Sequence, residues 1–221
     1  MNRRDLLRQV AAAAVAIPTF PWLPTARLLA EEPPVPAANW KPLFDGKSLD
    51  GWKSTRFGGD GEIEIDDGQL ILHAGAPLTG VTWTRDFPKV NFEIALEAQR
   101  VEGTDFFVGL TFPVRDSHAS FIVGGWAGSV VGISSIDGRD ASENETTQVL
   151  KFDNGKWYRF RVRVTAERIQ AWINDDQVVN VNIKDRKVTT RNEVNLSQPV
   201  GLATYDTKAA IRHFRFRTFQ P

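Results

Sequence analysis

Acids that could move protons, tryptophans with open faces and one oxygen-rich loop are the parts of this sequence able to do chemistry. Glu93 and Glu97 lie four residues apart in an alternating stretch, so they share one face of a predicted strand. At roughly 3.3 Å per residue that places them about 13 Å apart. A carboxylate pair that cleaves glycosides needs roughly 5–9.5 Å, so Glu97 pairs better with a loop acid, Asp137 or Glu145. Arg159, Arg161 and Arg163 alternate on the polar face of a later strand. Arg163 is the candidate to hold a developing oxyanion, since fixed cations act where charge appears. The alternative for these groups is cross-strand pairing of Glu93 and Glu97 with the arginines on a solvated face.

Trp126, Trp157 and Trp172 are the candidate sugar platforms, because an indole presents a flat apolar face and keeps its N–H free. Alternation puts Trp157 and Trp172 opposite the apolar side of their strands, and glycines surround Trp126. Trp52 and Trp83 read as structural. Asp137, Asp140, Glu143, Asn144 and Glu145 form the oxygen-rich loop. Asp137 and Asp140 could take a divalent cation such as calcium, and a plain acidic surface loop is the alternative. Asn144 is placed to bind substrate. His73, His118 and His213 are scattered and read as ordinary side chains.

The elements that must carry these residues read as strands. Residues 62–65, 69–72, 91–98, 157–164, 168–173 and 177–182 are short alternating runs. Turn signals such as Asp67-Gly68 and Asp153-Asn154-Gly155 separate them, and 200–204 and 209–219 follow. With no helical crossover segment, the pattern predicts an all-β, antiparallel β-sandwich. Residues 124–147 break the rhythm and read as long loops, where function tends to sit.

Composition narrows the function further. The 221 residues carry 27 basic and 27 acidic side chains, which gives no electrostatic reason to expect nucleic acid. The absence of cysteine excludes disulfides, thiolate catalysis and a lipid-modified cysteine. Residues 1–30 combine Arg3-Arg4, a short Ala-rich apolar run and helix-breaking prolines, and so predict a twin-arginine-type export signal. Residues 31–38 predict a Pro-rich linker and 39–221 the β-sandwich domain. The expected location is periplasmic or extracellular, with no stable membrane span once the signal is cleaved.

Several stretches resemble one family. Leu43-Phe44-Asp45-Gly46-Lys47-Ser48-Leu49-Asp50-Gly51-Trp52 is the most specific. Asp66-Asp67-Gly68-Gln69-Leu70, the strand Asn91 to Glu97, Gly155-Lys156-Trp157-Tyr158 and Ala171-Trp172-Ile173-Asn174-Asp175 add to it. Together they resemble the 3-keto-disaccharide hydrolase family, also described as 3-keto-glucoside lyase and hydratase domains. The resemblance implies a concanavalin A-like jelly roll and a carbohydrate ligand. It also implies net hydrolysis, by elimination and hydration, of glycosides oxidised at sugar C3, and it favours Glu97, whose position fits the family's strand motif. A noncatalytic carbohydrate-binding module of the cell envelope is the alternative. Two stretches depart from the pattern of many members: Asp105-Phe106-Phe107-Val108-Gly109, and Phe121-Ile122-Val123-Gly124-Gly125-Trp126.

Overall fold

The alternating runs pair into two antiparallel sheets that enclose one core. The structure, a computed structural model, describes residues 39–220. The expected signal (1–30) and linker (31–38) lie outside the described residues. In chain order the strands begin with β1 (Lys41–Pro42), β2 (Trp52–Ser54), β3 (Ile63–Asp66), β4 (Gln69–Leu72) and β5 (Leu78–Trp83). They continue with β6 (Phe92–Gly103), β7 (Val108–Val114), β8 (Ser117–Gly124), β9 (Val130–Ser134) and β10 (Gln148–Val149). The last five are β11 (Tyr158–Val164), β12 (Arg168–Ile173), β13 (Asp176–Asn182), β14 (Gly201–Tyr205) and β15 (Thr207–Thr218).

One sheet has eight strands in the order β13-β12-β11-β6-β15-β4-β3, with β1 also paired to β15. The other has seven, in the order β10-β9-β8-β7-β14-β5-β2. This is the antiparallel β-sandwich that the alternation predicts, and the jelly roll that the resemblance implies. Phe92, Ile94, Leu96 and Ala98 of β6 face Phe107, Leu110, Phe112 and Phe121 of the other layer across a sealed core. Each fully buried Phe, Ile or Leu side chain among these stabilises the fold by about 1.5–3 kcal/mol. Among the described residues no helix is long and apolar enough to cross a membrane.

The opening motif is architecture. The Asp45 carboxylate accepts hydrogen bonds from the backbone N–H groups of Lys47 and Ser48, both at 2.8 Å, and these hold it below the ordinary aspartate value. Gly51 turns the chain with φ +81°, where a Cβ would meet the Trp83 ring at 2.6 Å. Trp52 then inserts between Trp83 and Phe214 and donates its indole N–H to Leu43 O at 2.7 Å. Trp52 and Trp83 are therefore structural, as their positions suggest.

The predicted long loop 124–147 contains one strand that the sequence hides. Val130-Val131-Gly132-Ile133-Ser134 pairs with β8 through Val123↔Val131 and Phe121↔Ile133. Its flanking glycines and serines mask a five-residue run.

Candidate functional site

The outer faces of the two sheets differ in side-chain size, and that difference decides where a ligand can sit. On the eight-stranded sheet the outward residues of β11, β6 and β15 are long and charged. Glu93 is fully buried there and ion-pairs with Arg161 at 3.1 Å, Arg163 at 3.9 Å and Arg217. Glu97 accepts from Arg212 Nε at 2.8 Å and lies 3.3 Å from His213 Nδ1. Burial alone would raise the Glu97 pKa. The Arg212 and His213 hydrogen bonds outweigh it and hold the carboxyl below the ordinary glutamate value. Glu97 is thus ionised near neutral pH and has no proton to give.

Trp157 and Trp172 lie on this outer face, half-buried, and not between the layers. A guanidinium already covers one flat face of each ring. The Arg212 guanidinium lies 4.0 Å from the Trp157 ring and that of Arg161 lies 3.7 Å from Trp172. Arg163 stacks 4.4 Å over Phe219, and burial followed by the Arg217 charge pulls its pKa down.

The seven-stranded sheet turns small residues outward. Gly80 opposes Ala203, Ala203 opposes Gly109, Gly109 opposes Ile122, and Ile122 opposes Gly132. Loops therefore lie close against this face. A Cβ on Gly132 would come 2.9 Å from Ala141 O, and one on Gly201 would come 2.5 Å from Ser197 O. The 3-10 helix Asn192–Ser197 is fastened to β5 by Thr82 Oγ1, which donates to Leu196 O at 2.8 Å. Such cover explains why β5 and β7 are buried on both faces, and why neither carries a charged residue.

Between sheet and loops a cavity of about 270 Å³ remains. Leu78, Ser120, Ile122, Ser134 and Tyr205 come from the strands, and Asp105, Phe106, Trp126, Arg191, Glu193 and Val194 from the loops. That volume lies just below the usual range of small-ligand pockets, roughly 300–1,000 Å³, and suits one sugar ring at most. Trp126 is 40% exposed and Tyr205 36%, so both present ring surface to solvent.

Backbone geometry aims Trp126. Trp126 and Ala127 adopt φ +49° and +63°, a left-handed turn that side-chain-bearing residues seldom take. Asp105 fixes that turn. Its Oδ2 accepts from the Ala127 N–H at 3.1 Å and its Oδ1 from the Phe106 N–H at 2.7 Å. One carboxylate thus fixes the backbone at Phe106 and next to Trp126, two of the three aromatic residues that line the cavity.

Arg191 supplies the charge. It donates through Nη1 to Asp140, and through Nη2 and Nε to Glu193 at 2.9 and 3.4 Å. Of its five N–H donors, two stay available to a ligand. The hydrogen bond from Arg191 holds the Glu193 pKa down, and the reciprocal bond to Glu193 raises that of Arg191. The Arg191 guanidinium stands 6.0 Å from the Trp126 ring centroid.

The oxygen-rich loop is clamped and does not gather around a cation. Asp137 accepts from Arg186 Nε at 2.5 Å and from the Lys187 N–H at 2.8 Å, and Glu145 accepts from Arg186 Nη1 at 2.6 Å. Those bonds to Arg186 lower the pKa of both acids. Asp140 is bound elsewhere, to Arg191 and to Ser135 Oγ at 2.8 Å. The expected pairing of Asp137 with Asp140 at a metal therefore gives way to arginine pairing. Among the described residues no group of three or more His, Asp or Glu could hold a metal ion.

Asn144 is buried and serves the loop, not a ligand. It donates to Ile133 O, Arg139 O and Asp140 O at 2.8–3.1 Å and accepts from Thr146 N and Oγ1 at 2.9 and 2.6 Å. Asn144→Ala orphans several buried polar groups, each worth about 1–3 kcal/mol. Chemical denaturation is expected to show a loss of at least about 2 kcal/mol.

The candidates Glu97, Glu145, Arg163, Trp126 and Trp172 do not gather around one cavity. Trp126 lines the cavity, Glu97, Arg163, Trp157 and Trp172 lie on the opposite outer face, and Glu145 belongs to the Arg186 clamp. Sequence reasoning missed Asp105, Phe106, Arg191, Glu193 and Tyr205. One signal pointed to part of this set. The two stretches that depart from the family pattern, 105–109 and 121–126, supply Asp105, Phe106, Ile122 and Trp126 to the wall.

The sequence profile of the 3-keto-alpha-glucoside-1,2-lyase-like domain family matches residues 39–217. No curated protein matches the chain. Several solved structures share its fold. The Crh5 transglycosylase superposes with TM-score 0.57 at 12% identity, over 82% of this chain and 84% of that one. Domain 4 of AbnA, a GH43 extracellular arabinanase from Geobacillus stearothermophilus, solved with arabinotriose, gives 0.52 at 14% identity, over 81% and 91%. The carbohydrate-binding module CBM66 from Bacillus subtilis gives 0.50 at 12%, over 76% and 96%.

Proposed function

From the premise that this chain belongs to the 3-keto-alpha-glucoside-1,2-lyase-like domain family, we propose that the cavity on the seven-stranded sheet takes a glycoside oxidised at C3 and cleaves it by elimination. The observation that carries this reading is the meeting of Trp126, Arg191 and Glu193 in one cavity. The indole face packs on the apolar side of the sugar ring. The keto group acidifies the hydrogen on C2. Glu193, ionised through its bond to Arg191, removes that proton. The electrons move onto the C3 oxygen, where the two available N–H groups of Arg191 hold the enolate. Collapse of the enolate breaks the bond from C1 to the leaving oxygen, which takes a proton from Tyr205 or from water. Water adds to the resulting enone, and the sum is hydrolysis. The expected signal over 1–30 would put this activity in the periplasm or outside the cell.

A second reading has its own support. The Glu193 carboxylate is tied to Arg191 and held below the ordinary glutamate range, which weakens it as a base. A noncatalytic sugar-binding domain needs only Trp126, Tyr205 and the polar rim. Incubation with a 3-keto-glucoside and with the same glucoside unoxidised separates the two. Release of the aglycone from the keto form alone is the expected result. Binding of the keto form without release supports the binding domain, and neither binding nor release contradicts both.

A further inference from the structure

Beyond the Trp126 turn lies a second, more open cavity of about 570 Å³, lined by Arg100, Thr104, Ala127, Val149, Lys151 and Asn154 among others. It adjoins the first. Trp126 faces one and Ala127 the other, and the Asp105 bond to the Ala127 N–H is part of the wall between them. Its electrostatics differ from those of the first cavity. Arg100 and Lys151 are its ionisable lining groups, both cationic.

Arg100 is the unusual member. It is buried, 7% exposed, and its hydrogen bonds all go to neutral oxygens: Asn154 Oδ1 at 2.7 Å, Phe152 O at 2.8 Å and Asp105 O at 3.5 Å. Its guanidinium also lies 5.8 Å from the Phe107 ring centroid. Buried charges are ordinarily paired. The backbone makes room for this one, since a Cβ on Gly128 would come 3.0 Å from Arg100 Nη1. Lys151 adds a second cation, 90% exposed and only loosely paired with Asp153 at 3.6 Å. Asn154 and Thr104 add polar atoms, and Val149, 74% exposed, adds an apolar rim.

We infer that this groove binds an acidic sugar unit, one bearing a carboxylate, as the leaving part of the glycoside whose keto ring occupies the first cavity. The inference builds on the proposed sugar cavity for the direction in which the ligand runs. The fixed charge of Arg100 draws the anion in, Lys151 holds it at the mouth, and Val149 borders the ring. The ligand crosses the Trp126–Ala127 turn, so the bond to be broken lies above the divide.

The test is calorimetric titration of glucuronate, glucose and inorganic sulfate into the full chain and into Lys151→Glu, an exposed change that leaves the fold intact. Glucuronate is expected to bind at least about tenfold more tightly than glucose, to weaken as salt screens the cations, and to lose about tenfold in Lys151→Glu. Equal affinity for glucose and glucuronate, or no effect of Lys151→Glu, overturns the inference. Sulfate binding as tightly as glucuronate also overturns it and reduces the groove to a simple anion site. These probes carry no keto group and no glycosidic bond, so turnover is scored separately. Selective glucuronate binding without turnover of any 3-keto-glycoside contradicts the catalytic reading and leaves the groove standing.

Discussion

Arg191→Ala is expected to lower turnover of a 3-keto-glycoside by about 100–1,000-fold, the usual cost of losing a donor to a developing oxyanion. The guanidinium is the group that could stabilise charge only as that charge appears, so kcat and kcat/KM should fall together. Arg191 also binds Asp140 and Glu193, and its loss could act through the loop alone. Arg191→Lys distinguishes the two. It restores a point charge without the planar fork, so it should recover part of the rate while a purely structural loss would track thermal stability. Steady-state kinetics of both variants beside their melting temperatures check the claim. Unchanged kcat in Arg191→Ala would remove this residue from the chemistry.

Glu93→Ala has the largest expected effect on stability. The carboxylate is buried, and three guanidiniums converge on it from two neighbouring strands. Removing one member of a buried ionic cluster costs about 3–5 kcal/mol. For a domain of this size that lowers the melting temperature by about 6–20 °C. Glu97→Ala is the control on the same strand. Its pairs with Arg212 and His213 are partly exposed, and such pairs are worth about 0–1 kcal/mol. Chemical denaturation of the two variants should therefore separate them clearly. Equal losses would mean that the outer lattice of the eight-stranded sheet is cooperative throughout.

The same face shows how far the sequence could be read. Period-two alternation in 91–98 and 157–164 predicts both strands and their inward sides, and Phe92, Ile94, Phe160 and Val162 are buried as expected. It also predicts that Trp157 and Trp172 point outward. What alternation cannot supply is the neighbour across the sheet. The register sets Arg161 beside Trp172, and the guanidinium then covers one face of the ring. The cross-strand alternative for Glu93 is the arrangement that forms with Arg161 and Arg163.

The cavity was less legible because its parts come from distant segments. Arg191 and Glu193 sit in a stretch without periodic pattern, some 65 residues from Trp126, and reach it only because small outward residues let the loops settle on the sheet. The runs without a charged residue at 78–83 and 108–114 were the available clue. Strands buried on both faces need cover, and here the cover is the site. The acidic loop misled for a related reason. Its residue types suit a cation, but Arg186 and Arg191 arrive from elsewhere in the chain to pair with it.

Which sheet faces the ligand is the question on which the functional account turns. Titrating a 3-keto-glucoside into 15N-labelled protein while following the indole N–H signals answers it directly. A shift of the Trp126 signal, with Trp157 and Trp172 unmoved, is the expected result. Movement of the Trp157 and Trp172 signals while Trp126 stays still would put the sugar on the opposite face and contradict it.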